Sequence, residues 1–454
     1  MNYPVLEELA SQSNHVVAIC GGAVSGSEAA AICAAQGITA IVFEQNARPY
    51  GKIEDGLPRW HDKLRAKEFK AIDENLKQPG VHFVPRTKLG PDVPFEELAN
   101  EWGVSAVVLA NGAWRDRPLP VPRADDYVGK GLVYQNPFVH WFNHYEEPGY
   151  EGPQYRVTDD AVVVGGGLAS IDLVKVINLE LYRTALRQRG IEVAVVEMEH
   201  AGITGTLQRH KIDPKSLGVR GCTLYYRRRV RDMPIASPWD TTPEEIARIE
   251  RVRETMINVL QQRFRVHVKE CHVPVAPVVE DGRLVGLTFR KSEVRDGKAV
   301  EVEGSDVHVR SDLIVSSIGS VPATIDGIPM RGELYDFSSS ETGALAGLPG
   351  VFGLGNVLTG KGNIKDSRAN AKDISDRLLS HHLGVTNGYR PDLLEGAHQA
   401  AQAQGRALAA SVVQRPKVPS NKMRIIADEL ARRWRATGYD GNYVSWIARH
   451  KPAC

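Results

Sequence analysis

Gly21-Gly-Ala-Val-Ser-Gly26 stands between the apolar run His15-Val-Val-Ala-Ile-Cys20 and the helix-forming residues Ser27-Glu-Ala-Ala-Ala-Ile-Cys-Ala-Ala-Gln36. The short, unbroken apolar run reads as a buried strand. Gly37 stops the helix, and Ile38 to Phe43 is a second apolar strand closed by Glu44. Together they form a βαβ unit with a glycine turn at the N-terminus of its helix. Such a turn aims backbone N–H groups at an anion and needs small residues where a phosphate approaches the backbone. Gly21, Ala23 and Gly26 fill the three positions of a G-x-G-x-x-G pattern, with Ala in place of the second glycine. The Ala23 methyl is expected to crowd the pyrophosphate side. Glu44 follows at about the twenty-residue spacing of an adenosine-ribose acceptor. That placement favours a dinucleotide site over an ordinary βα turn.

The pattern recurs. Asp160-Ala-Val-Val-Val164 reads as a strand, Gly165-Gly-Gly-Leu-Ala-Ser170 as a turn, and Ile171 to Gln188 as a helix. Gly165, Gly167 and Ser170 fill the three positions of the second turn. Two later strands compete to follow it. Glu192 to Val196 would end in Glu197, which suits the free ribose of NAD. Cys222 to Tyr226 would end in Arg227-Arg-Arg-Val-Arg231, whose guanidinium forks suit a 2′-phosphate. Each unit is followed by an apolar run ending in glycine, Ser105 to Gly112 and Asp312 to Gly319. Gly350-Val-Phe-Gly-Leu-Gly-Asn356 adds a further short strand. Pro/Gly-rich stretches at 116–123 and 319–333 are the expected crossings between domains.

The 454 residues are 42% hydrophobic and 24% charged, enough for a large core and more than one domain. With 56 Lys plus Arg against 55 Asp plus Glu, the net charge is +1, which argues against a general polyanion binder. The five cysteines include no C-x-x-C pair, which argues against a thioredoxin-like centre, a zinc ribbon and a cysteine-ligated iron–sulfur cluster. Their odd number argues against a disulfide framework and for a reducing, cytoplasmic setting. No secretory signal or membrane span is legible, and neither nucleic acid nor membrane is expected as a partner. His140 and His144 have the spacing of a helical metal pair, but no third ligand is visible, so they read as structural and no metal is expected. Residues 415–451 carry nine Lys/Arg against three acids, and Ile426, Leu430 and Trp434 form an apolar helical stripe. That stripe is expected to pack on the first domain.

The order of these motifs resembles the adrenodoxin-reductase-like flavoproteins, including bacterial ferredoxin–NADP reductases and the glutamate synthase small subunit. The resemblance spans roughly residues 15–382. Phe138-Val-His-Trp-Phe-Asn143 is similar to the family's Phe-Val-x-Trp-Tyr-Asn segment, and Tyr226-Arg-Arg-Arg-Val-Arg-Asp-Met-Pro234 to its Tyr-Arg-Arg…Met-Pro run. The resemblance implies an α/β fold of two Rossmann-like domains, the NADP domain inserted into the FAD domain. By residues, these are 1–118 with 325–384 for FAD and 119–324 for NAD(P), followed by a helical basic extension, 385–454. It implies that Arg227 and Arg228 hold the 2′-phosphate and so favours NADP, with NAD the alternative. Gly51, Gly112, Gly355, Asn356, Gly362 and Ile364 fall where the family contacts FAD, and His61 where its histidine lies near the flavin. Tyr50-Gly51 replaces the usual Gly-Gly, Leu168 an Asn and Asn356 an Asp. The implied activity carries electrons from NADPH through FAD to an acidic, ferredoxin-like iron–sulfur protein. The alternatives are a reductase of a small organic substrate and an electron-transfer subunit of a larger complex.

Overall fold

The computed structural model describes residues 3–238, 240–339, 342–359 and 395–451. Two parallel sheets organise them. The first has the strand order Val351–Gly353, Ala106–Leu109, Val16–Cys20, Thr39–Phe43, Val81–Val84. Every residue of Val16–Cys20 and Thr39–Phe43 is buried, as expected of strands covered on both faces. The connection between them is the helix Val24–Ala35, which begins three residues before its expected start and is closed by Gly37 at a φ of +74°. Val16–Cys20 lies between Ala106–Leu109 and Thr39–Phe43, so the glycine turn leaves the sheet where strand order reverses. That is where open α/β sheets bind ligands.

The second sheet repeats the plan with Leu132–Tyr134, Ile314–Ser317, Val162–Gly165, Thr223–Tyr225 and His267–Lys269, all parallel. The helix Leu168–Arg187 follows its central strand. An antiparallel sheet of His272–Glu280, Arg283–Arg295, Lys298–Glu301 and Val307–Arg310 is attached to this unit and was not legible from periodicity. The expected strand over 192–196 is absent: Val195–Ala201 is a helix. Its buried residues Val195, Met198 and Glu199 follow helical spacing, and a run this short fits either period. Glu197 is thereby exposed on a helix, 3.7 Å from Arg209, and is no ribose reader at a strand end.

The chain crosses between the two sheets twice. The crossings pair with one another, Arg115 and Asp116 lying antiparallel to Val321 and Ser320. The C-terminal helices cover the first unit. Glu395–Val412 packs along Val24–Ala35, close enough at Gly405 that a methyl there would meet Ile32. Ser420–Thr437 buries Ile426, Leu430 and Trp434, and Trp434 Nε1 donates to the Phe83 carbonyl at 2.9 Å. Arg433, one of the nine basic residues of 415–451, is buried over the Trp102 ring. No helix among the described residues is long and apolar enough to cross a membrane.

Candidate cofactor cleft

A cleft of about 900 Å³ opens at the first switch point. It runs from Gly21, Ala23 and Glu44, past Gly51 and Lys52, to Gly112, Trp114 and Asn356. The turn is as tight as its sequence requires. A methyl on Gly26 would overlap the Gly21 carbonyl oxygen, and Gly21 holds a φ of +108° against the Ala110 carbonyl. Ala23 caps the helix, and its methyl lies beside Gly51, where an added Cβ would sit 2.9 Å away. The absence of a side chain at Gly51 thus leaves room for the Ala23 methyl. Tyr50 turns into the core, stacked on Phe69 with its hydroxyl donating to Asp73.

Glu44 is 4% exposed at the end of the second strand. Its two oxygens accept from the backbone N–H groups of Gly22 at 2.9 Å and Asn46 at 3.0 Å. Burial pushes its carboxyl up to about 7, against the pull of those two donors. Glu44 therefore braces the glycine turn as well as lining the cleft. Gly355 lies against Ser25 of the helix Val24–Ala35, and Asn356 opens the helix Asn356–Thr359. Gly362 and Ile364 lie outside the described residues. Cys20 also lines the cleft, and burial pushes its thiol up to about 12, which leaves it a packing residue.

The second turn is built differently. Ser170 is fully buried, and its Oγ donates to the Ser317 carbonyl at 3.1 Å. It ties helix to sheet at the place where Gly165 has no room for a side chain. Gly167 caps the helix with open space where its side chain would be. Thr223–Tyr225 is the neighbouring strand, so the arginine run stands at its end. Those arginines are unequal. Arg228 donates to the Tyr226 hydroxyl and to the carbonyls of Gly297 and Asp232, and Arg229 forks onto Asp232 at 2.8 and 2.9 Å. Arg227 is exposed, and none of its guanidinium nitrogens bonds to protein among the described residues.

His61 is buried. Its loop neighbours Gly56 and Leu57 line the cleft, while its own ring turns to Trp60 and to Asp172 on the second unit's helix. Trp60 Nε1 donates to His61 Nε2 at 3.1 Å, which makes Nε2 the acceptor and leaves the proton on Nδ1. Asp172 Oδ1 is 3.9 Å from the same nitrogen. Asn143, at the end of the Phe138–Asn143 segment, donates to the carbonyls of Glu54 and Leu57 and so holds the His61 loop to the second unit.

Sequence reasoning did not single out Asp172, Lys52 or Asp116. Lys52 Nζ donates to Ser320 Oγ at 3.2 Å, beside the Trp114 ring, and burial brings its ammonium down to about 8. Burial raises the neighbouring Asp116 carboxyl to about 6. The available signal for Lys52 was a lysine directly after a cofactor-loop glycine. For Asp172 it was a carboxylate among the apolar residues of its helix's first turns.

No family model matches the chain. The glutamate synthase [NADPH] small chain of Mycobacterium tuberculosis is 26% identical over 393 residues, covering 81% of this chain and 67% of that protein. The mitochondrial NADPH:adrenodoxin oxidoreductase of Arabidopsis thaliana is 22% identical over 364 residues, 72% of each. Among solved structures, FprA from Mycobacterium tuberculosis in complex with NADPH superposes with a TM-score of 0.64 at 17% identity, covering 93% of this chain and 91% of FprA. The chain thus has the two-unit fold of FprA and, over most of its length, resembles in sequence the flavoproteins of the adrenodoxin-reductase and glutamate-synthase-small-chain type.

Proposed function

We propose that the protein is an FAD-dependent NADPH oxidoreductase passing electrons to a ferredoxin-like iron–sulfur carrier. The observation that carries this reading is the pair of glycine turns, each at the switch point of its own parallel sheet. The first opens on a cleft with a buried carboxylate at the far strand. That cleft fits FAD: Gly21 and Gly26 leave the turn without side chains, helix N–H groups face the pyrophosphate position, and Glu44 stands at the ribose end. On this reading residues 1–118 with 325–384 hold FAD, 119–324 hold NAD(P), and 385–454 form the basic extension. The names of the two relatives and of FprA support NADPH as donor, and that of the adrenodoxin oxidoreductase supports a small protein acceptor.

When bound, FAD supplies an acceptor for two electrons that releases them singly. The chain's own residues bind and align. The first turn and Glu44 hold the adenosine diphosphate portion. Gly167 gives the second pyrophosphate access to a helix N-terminus, and Arg227 offers an unengaged fork to a 2′-phosphate. His61 is the group proposed to steady charge on the reduced flavin or relay a proton near it. Anaerobic titration of the yellow protein with NADPH and then NADH tests the reading. Bleaching at lower NADPH than NADH concentration is expected. A protein that takes up no FAD after reconstitution overturns it.

A further inference from the structure

Asp55, His140 and His144 come from different units and meet at one point. The two histidines project one turn apart from the helix Gln135–His144 of the second unit, and Asp55 ends the short helix Lys52–Asp55 of the first. Asp55 Oδ1 lies 3.0 Å from His144 Nε2 and 3.9 Å from His140 Nε2, and one ligand atom from each residue falls within 4.8 Å of the others. We infer that these three side chains form a binding site for a divalent transition metal of the zinc type, which clips the two units together.

The donor set is two imidazole nitrogens and one carboxylate oxygen, which suits Zn²⁺ with a fourth, open position. The surrounding groups are those that orient metal ligands. His144 Nδ1 donates to Glu147 Oε1 at 2.8 Å, fixing the tautomer that presents Nε2 to Asp55. Asn46 Nδ2 donates to the other Asp55 oxygen at 3.4 Å. Bonds of ~2.0–2.2 Å to one ion require the three atoms to draw closer. His140 is the ligand free to move, its side chain being 45% exposed while those of Asp55 and His144 are 11% and 6%.

The other charges facing the cluster are Glu54 from the same short helix, with Arg48 and Arg65 opposite. Ile53 and Gly56 beside Asp55 line the cleft, so a bound ion ties the cleft loop to the second unit's helix.

Isothermal titration of the chelator-stripped full chain with zinc chloride tests the site. One equivalent binding at micromolar zinc is expected, with a rise in thermal midpoint. His140→Ala, whose half-exposed side chain is the safest to remove for folding, should abolish both the binding isotherm and the midpoint rise. Glu147→Gln should weaken zinc binding about 10- to 100-fold. Binding by His140→Ala equal to that of the unaltered chain, or no binding by the unaltered chain at micromolar zinc, overturns the proposal.

Discussion

At the scale of single residues, the first glycine turn leaves the least room. Gly26→Val would drive a branched side chain into the Gly21 carbonyl. The protein should then purify without yellow colour or with a lowered thermal midpoint, read by visible absorbance and a melting curve. The arginine run divides labour in a way its sequence does not show. Arg227→Ala should raise the KM for NADPH about tenfold or more while sparing NADH, as expected for a charge-assisted bond worth roughly 1.5–3 kcal/mol. Arg228→Ala should instead loosen the loop, because its three acceptors belong to the protein. His61→Ala should slow acceptor reduction about 10- to 100-fold, within reach of a lost acid–base group. Stopped-flow traces should show flavin bleaching by NADPH little changed, and rates unchanged from the unaltered chain in both half-reactions would leave His61 a packing residue. Residue types legible in sequence were those fixed by backbone geometry, such as Gly21 and Gly26. The partners Gly22 of Glu44, Asp172 of His61 and Gly297 of Arg228 were not legible, because each is brought in from a part of the chain distant in sequence.

At the scale of elements, the C-terminal helices are latched by charge as well as by packing. His398 Nδ1 and Nε2 lie 3.1 Å from Glu28 and 2.7 Å from the buried Glu68. Those two hydrogen bonds raise the His398 pKa from 6.5 to about 10, against the effect of burial. A histidine raised on folding stabilises the fold fully below its unfolded pKa and loses that contribution as pH climbs through the folded one. Thermal midpoints should therefore fall between pH 6.5 and about 10 in the unaltered chain. His398→Ala should start lower and fall less over the same interval. The apolar stripe of Ile426, Leu430 and Trp434 was readable because its period is helical and its face is buried. The strand expected over 192–196 was misread for the opposite reason: five residues span too little of either period to decide.

At the scale of the molecule, the layout of two parallel sheets followed from the order of turns and apolar runs. The antiparallel sheet over 272–310 did not, because its half-exposed strands carry no clean alternation. The basic extension is less free than its composition implies. Arg424 pairs with Glu7, Arg432 with Glu429 and Arg449 with Asp440. An acidic carrier still predicts a reduction rate that falls steeply with salt, whereas a small neutral acceptor predicts a nearly flat profile. Steady-state rates across an ionic-strength series separate the two.

The paired crossings, Arg115–Asp116 beside Ser320–Val321, have a consequence for how such a chain can arise and be rebuilt. A segment that leaves and re-enters through hydrogen-bonded neighbours has its two ends side by side. Its removal asks the remaining chain to bridge only the width of a two-stranded ribbon, and the five strands of the first sheet all lie outside it. At the level of the gene, the second unit is thus a cassette: one in-frame event between the codons for the two ribbon strands can exchange it for another while the first sheet keeps every strand it has.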